Sequence, residues 1–432
     1  MTDFPEQYAP FVADRGIEPS TVIAYLPPWC SEPDVVALSE RIAASIRVTA
    51  TGELEQSSTH TGPSFPFVWG QGETALNFVL EVQETGELDF DGTFGLSDEE
   101  IDSVERSRWC ICLTTEFGPH VLDDFHTQMK AIALAAPEAV VMFDCASDRA
   151  HSGDWLRDVA NSRVPPPPDS LYTVHVVTEP GDDRSWFHSH GLLRCGSIEL
   201  EMLDIPEDAV LTFTNLFNVT AALFIEHGTP PPGDGFDVGP EIRLYWLPWE
   251  HAVQRLPGGE LGRGEDRRDH DHPSGVLFVE TSDDAESRDM GVPTNVTVLR
   301  DVLEDEPILF HTQMETQRMS LLAKEHFPRF RALQRRFAGD DEWEFHVKLG
   351  YLVDDCPEDE DESEHLWFQL HEIKGGEMVA TLQNEPYGIA RMRAGDRDRH
   401  ACDQLSDWSI ECRHGLFDAT TIGRIEDLVR PI

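Results

Sequence analysis

Lysine is nearly absent from this chain. Only Lys130, Lys324, Lys348 and Lys374 occur, and 81 acidic residues face 33 basic ones, for a net charge of −48. Nucleic acids and anionic membranes need neutralising Lys and Arg, so that field argues against both as partners. The sequence shows no uninterrupted run near the roughly 18 apolar residues that suggest a membrane helix. The start, Met1-Thr2-Asp3-Phe4-Pro5-Glu6, lacks a basic segment and an apolar core, which predicts no signal peptide. The eight cysteines include no C-x-x-C pair, so reduced thiols in a cytoplasm are the simplest expectation. A P-loop, a nucleophile elbow, a kinase motif set and an H-E-x-x-H helix are also missing. Gly70-Gln71-Gly72-Glu73-Thr74-Ala75 matches G-x-G-x-x-A formally, but the residues after it read as strand, not helix, which argues against a dinucleotide site.

What is present is the material of an ordinary globular protein in several parts. At 432 residues, 40% of them hydrophobic, the chain is expected to divide into two or three domains. The first part reads βαββαβ. Thr21–Leu26 is an apolar strand, and Asp34 can cap a helix over 35–45 with Val36, Leu38, Ile42 and Ile46 at helical spacing. Strands follow at 76–82 and 108–114, then a helix over 123–135 and a strand at 139–143. That order predicts a ferredoxin-like unit over residues 1–164. Cys110 and Cys112 share one strand face, as small core residues do. Four consecutive prolines, Pro165 to Pro168, then break the pattern.

A second α/β unit is expected over 169–310, with strands near 171–178, 197–203, 241–246 and 276–279. Residues 208–227 are apolar and predict a helix in their second half. Residues 258–275, rich in Gly, Asp, Arg and His, read as a mobile surface loop. A basic connector helix is expected over 311–340, broken or kinked by Pro328. The last part, 341–432, is predicted β-rich, with Leu366, Phe368 and Leu370 alternating against Trp367, Gln369 and His371. Lys374-Gly375-Gly376-Glu377 supplies its turn. The acidic run from Asp354 to Glu364 has to be a loop, because it cannot be buried unpaired. The fold class is therefore α+β.

Few residues suggest chemistry. In Trp186-Phe187-His188-Ser189-His190-Gly191-Leu192 the two histidines would share one face of an extended segment, as a metal pair requires. Glu199 and Glu201 would do the same in the next strand, and the four side chains together could hold Zn²⁺ or Fe²⁺. The plainer alternative is a tight turn whose histidines bond backbone. Asp269-His270-Asp271-His272 offers a second H-x-H, where a solvated charge cluster is the default. Asp144 and Asp148 follow a strand end with His151 nearby; a loop is again the plainer reading.

The C-terminal series Glu364-His365-Leu366-Trp367, Gly375-Gly376, Leu382-Gln383-Asn384-Glu385-Pro386, Ala394-Gly395-Asp396 and Leu405-Ser406-Asp407-Trp408 resembles the YegJ-like bacterial domain of unknown function, family number 2314. In that module Trp367, Asp396 and Trp408 stand at signature positions and are candidates for an interaction surface; packing in a small core is the other reading. The stretch with His190-Gly191-Leu192, Arg194 and Glu199-Leu200-Glu201-Met202-Leu203 resembles the uncharacterised bacterial domain, family number 4026, that accompanies it. Two function classes remain. One is a non-catalytic binding or immunity-type protein that holds a basic protein partner through its acidic surface, with no cofactor. The other is a metal-dependent enzyme centred on His188 and His190. Charge and the missing motifs favour the first, although a salt-adapted or high-GC proteome would produce the same acidity.

Overall fold

Strand β1 (Ser20–Tyr25) is an interior strand of the first sheet, with Val22, Ala24 and Tyr25 apolar and buried. The computed structural model describes residues 5–429, apart from 14, 54, 57–62, 72–73, 87–94, 180, 182, 241, 257–260, 265–266, 268–269, 271, 281–291, 306–308, 311 and 355–362. The chain separates into two compact units, Met1–Thr312 and Gln313–Ile432.

The first unit carries two sheets. Around β1 lie β2 (Val48–Thr51), β3 (Glu55–Gln56), β4 (Pro63–Trp69), β5 (Leu76–Glu84), β6 (Trp109–Thr115), β7 (Val141–Asp144) and β8 (Arg149–Ser152). Their order is β2-β4-β5-β6-β1-β7-β8, with β3 paired to β4. The inner run β5-β6-β1-β7 is antiparallel throughout. With the helices Val35–Ala43 and Val121–Ala135 between its strands, it has the order and direction of a split βαβ sandwich. Asp34 caps the first of these helices, accepting from Val36 N and Ala37 N. Sequence periodicity did not reveal β2 to β4, β8, or the helices Asp98–Glu105 and Gly153–Asn161, which extend that core.

The second sheet comprises β9 (Thr173–Thr178), β10 (Arg184–His190), β11 (Glu199–Pro206), β12 (Phe236–Gly239), β13 (Ile242–Pro248) and β14 (Ser274–Val279), in the order β12-β13-β14-β11-β10-β9. β11 and β14 run parallel and the other pairs antiparallel. The helix Val210–His227 covers one face, burying Phe213, Leu216, Phe217, Ala221, Phe224 and Ile225. It is helical throughout, not only in its second half. Residues Glu207–His227 are also long and apolar enough to cross a membrane, contrary to the reading of the sequence; here the packed face belongs to the core. The stretch expected to be a mobile surface loop is partly folded down: Leu261 and Arg267 are buried.

The second unit is a six-stranded sheet of β15 (Trp343–Leu352), β16 (Ser363–Lys374), β17 (Glu377–Leu382), β18 (Arg397–Ala401), β19 (Leu405–Cys412) and β20 (Gly415–Asp418), ordered β18-β17-β16-β15-β19-β20. Leu366, Phe368 and Leu370 point into its core, as their alternation predicts. The turn between β16 and β17 uses Gly375 at φ 64°. Of the kink or break expected at Pro328, the break does not occur: the helix Gln313–Arg336 continues through it. Ala323, Phe330 and Leu333 anchor it to the same core, so packing offsets the hydrogen bond that proline removes. Three of its arginines are engaged locally: Arg318 with Glu315, Arg329 with Glu426, and Arg336 with the carbonyl of Val429. Most of the acidic run, residues 355–362, lies outside the described residues.

Candidate metal centre

Strand alternation builds the site. Along β10, Phe187 packs toward Phe217 on the helix side, while Trp186, His188 and His190 face the other way. The cross-strand partner of His188 on β9 is His175. One nitrogen from each of His175, His188 and His190 lies within 4.8 Å of the others. Their ring centres stand 5.2 Å (His175–His188), 4.9 Å (His175–His190) and 5.1 Å (His188–His190) apart. Three imidazoles bound through nitrogen at about 2.0–2.1 Å to one tetrahedral ion place their ring centres roughly 5 Å apart.

The second H-x-H closes over this group. His270 stands 4.4 Å from His188 and 5.0 Å from His190, and His272 stands 5.3 Å from His190, centre to centre. Periodicity offers no means of joining the two motifs, since some eighty residues and three strands separate them. It also passes over His175, which only sheet register brings opposite His188.

The electrostatics suit a cation. His188 is 4% exposed, and its Nδ1 has no hydrogen-bond partner; the buried Nδ1 of His270 has none either. Burial, reinforced by the neighbouring imidazoles, pulls the His188 pKa down to about 2 and that of His190 to about 3. Burial also lowers His175. These rings are therefore neutral at ordinary pH, the form in which imidazole ligates metal. Trp186, 4.1 Å from His188 between ring centres, walls the group on one side.

Glu199 and Glu201 do not join the histidines. Glu199 is buried and accepts hydrogen bonds from Ser189 Oγ (2.5 Å) and the backbone N–H groups of Gly191 (2.8 Å), Leu192 (2.9 Å) and Leu193 (3.3 Å). Burial pushes its carboxyl above the usual range, and those bonds oppose the shift. Glu201 accepts from Trp186 Nε1 (2.9 Å), Ser274 Oγ and the guanidinium of Arg267, which lies 4.3 Å over the Trp249 ring. Both carboxylates are occupied in holding the turn after β10 and the segment that carries His270. Of the four residues expected from sequence, His188 and His190 lie together with His175, whereas Glu199 and Glu201 are bonded elsewhere, because side-chain satisfaction, not strand alternation alone, decides which acids are available.

The other sequence candidates take structural roles or lie elsewhere. Asp144 forms a bidentate pair with Arg194, 2.7 Å on each arm, with both side chains fully buried. Arg194 also donates to Ser20 Oγ and the Leu171 carbonyl, so it ties the end of β7 to the turn after β10. Asp148 has φ 52° in the β7–β8 turn. In the second unit Trp408 is fully buried and donates from Nε1 to the Ala323 carbonyl, so it serves the core and offers no surface. Trp367 is half-buried with Lys348 over its ring at 5.6 Å. Asp396 is exposed and accepts from Arg393 N within its turn. Glu344, His346 and Glu411 also cluster across β15 and β19, but both carboxylates are exposed.

The comparisons with known proteins follow the same divisions. Residues 29–166 match the protein of unknown function DUF4026, N-terminal part, and residues 174–278 match its C-terminal part. Residues 323–429 match DUF2314, described as an uncharacterised protein conserved in bacteria. No curated protein and no solved structure matches the chain. The chain therefore joins both halves of the DUF4026 family, the histidine strands β9 and β10 lying in the second, to a DUF2314 module.

Proposed function

We propose that this protein binds a divalent transition metal, Zn²⁺ foremost, through His175, His188 and His190. The observation that carries the reading is the spacing of three neutral imidazoles at the separation a tetrahedral ion requires, around a buried Nδ1 with no hydrogen-bond partner. An all-nitrogen set suits Zn²⁺ better than Fe²⁺, whose common facial triad needs a carboxylate. Glu199 and Glu201 are committed to other bonds. The metal-dependent alternative drawn from sequence thereby gains support, with a different ligand set.

The test is elemental analysis of untagged protein beside a His188→Ala/His190→Ala variant. Near-stoichiometric zinc in the parent and none in the variant is the expected result; no bound metal in the parent after incubation with Zn²⁺ overturns the reading. The other reading, a non-catalytic protein that holds a basic protein partner, rests on the net charge of −48. Pull-down with cationic proteins at low and high salt tests it; capture that does not weaken with salt contradicts it.

A further inference from the structure

His175, His188 and His190 can fill three corners of a tetrahedron, and two further rings stand over them. His270 lies 4.4 Å from His188 and 5.0 Å from His190, centre to centre. Together with the separations among the three strand histidines, five of the six edges of a four-histidine tetrahedron measure 4.4–5.2 Å. Imidazoles sharing one tetrahedral ion require roughly 5 Å. His272 stands 5.3 Å from His190 and 5.6 Å from His270, wider than any of those five. The buried Nδ1 atoms of His188 and His270 both lack a hydrogen-bond partner, an unfavourable state that a shared cation relieves.

Contacts that need no metal already hold His270 in place. Its backbone N–H donates to the Arg267 carbonyl at 3.1 Å. The Arg267 guanidinium is fixed between Glu201 of β11 and Ser274 Oγ of β14, and lies over the Trp249 ring. The same Glu201 carboxylate accepts from Trp186 Nε1, and the Trp186 ring stands 4.1 Å from His188 and 5.1 Å from His270. Resting on the metal-binding reading, we infer that His270 is the fourth ligand and closes the coordination sphere, with Glu201 acting through Arg267 as its positioning residue. A closed four-coordinate ion is the arrangement of structural sites, whereas catalytic sites keep one position for water or substrate. The centre therefore holds its metal without a vacant position. The competing donor is Cys145, an exposed thiol on the wall of a cavity that His190 and His272 also line.

The experiment loads the full chain with Co²⁺, whose electronic spectrum reports its ligands, and titrates it with azide. The parent is expected to bind one Co²⁺ with four-coordinate visible bands, no thiolate charge-transfer band and no azide shift. His270→Ala should weaken Co²⁺ binding and gain an azide shift. His270→Cys should gain the thiolate-to-cobalt band, which a merely structural role would not produce; it decides the matter should the alanine variant fail to fold. His272→Ala and Cys145→Ser should leave the parent spectrum unchanged. A folded, Co²⁺-loaded His270→Cys protein without that band overturns this inference alone. So does a thiolate band in the parent that Cys145→Ser abolishes, or an azide shift in the parent. No Co²⁺ binding in the parent overturns the metal-binding reading beneath it.

Discussion

At the residue scale the molecule turns on which buried polar groups are satisfied. Arg194 and Asp144 show the satisfied case: a paired ion, fully buried, with the guanidinium's remaining donors used on Ser20 and Leu171. Arg194→Met leaves the Asp144 carboxylate buried without its partner. A loss of about 3–5 kcal/mol is expected in urea unfolding at pH 7, and a loss under 1 kcal/mol would contradict the account. His151 shows the opposite case. It is stacked on Trp155 with ring centres 3.7 Å apart, and its buried Nε2 has no partner. Burial, then the nearby Arg149, lowers its pKa from 6.5 to about 4. Between those two values the unfolded chain binds the extra proton, so this stabilisation is present above pH 6.5 and is lost as pH falls toward 4. His151→Leu removes that dependence. The variant should lose about 2 kcal/mol less stability than the parent between pH 7.5 and pH 5. Parallel slopes in unfolding experiments at the two pH values would show that His151 is already charged in the native protein.

At the element scale, strands and helices with a clean period were legible and their partners were not. The alternation of Leu366, Phe368 and Leu370 gives β16 directly, and Leu38 and Ile42 mark the helix Val35–Ala43. β2, with three of its four residues exposed, carries no comparable apolar signal. The pair His188 and His190 was readable as one face of a strand, but His175 enters by register across β9 and β10. The same alternation puts Glu199 and Glu201 on one face, but hydrogen bonds that no periodicity encodes hold both carboxylates elsewhere. The turn that ends β10 is itself restrictive. Gly191 has φ 115°, and a Cβ there would lie 2.5 Å from the Leu171 carbonyl oxygen. Gly191→Ala should therefore destabilise the protein by roughly 1–3 kcal/mol and weaken metal binding through the displaced His190. Unchanged unfolding and unchanged zinc affinity would refute this role for the turn.

For the whole molecule, the charge of −48 outweighs every other electrostatic feature outside the cores. Self-repulsion of that size opposes the compact state and is screened by salt. The thermal midpoint should rise steeply as NaCl goes from low millimolar to about 0.15 M, where the Debye length is about 8 Å. A further rise beyond 1 M would mark adaptation to salt, and a flat response across the whole range would show that self-repulsion is not what limits stability. The composition disclosed this field but not its purpose, and the matched families carry no assigned activity. The cysteines were legible as ordinary thiols: those at 30, 110, 112, 145, 195, 402 and 412 are free. The proposed metal site rests instead on histidines that sheet register brings together from two neighbouring strands, β9 and β10.

The most direct test is isothermal titration of Zn²⁺ into chelator-treated, untagged protein, with His175→Ala, His188→Ala and His190→Ala measured in parallel. One ion per chain is predicted, with affinity lowered by each substitution and the fold retained by circular dichroism. Zinc binding that none of the three substitutions weakens, or no binding in the parent, would contradict the histidine centre.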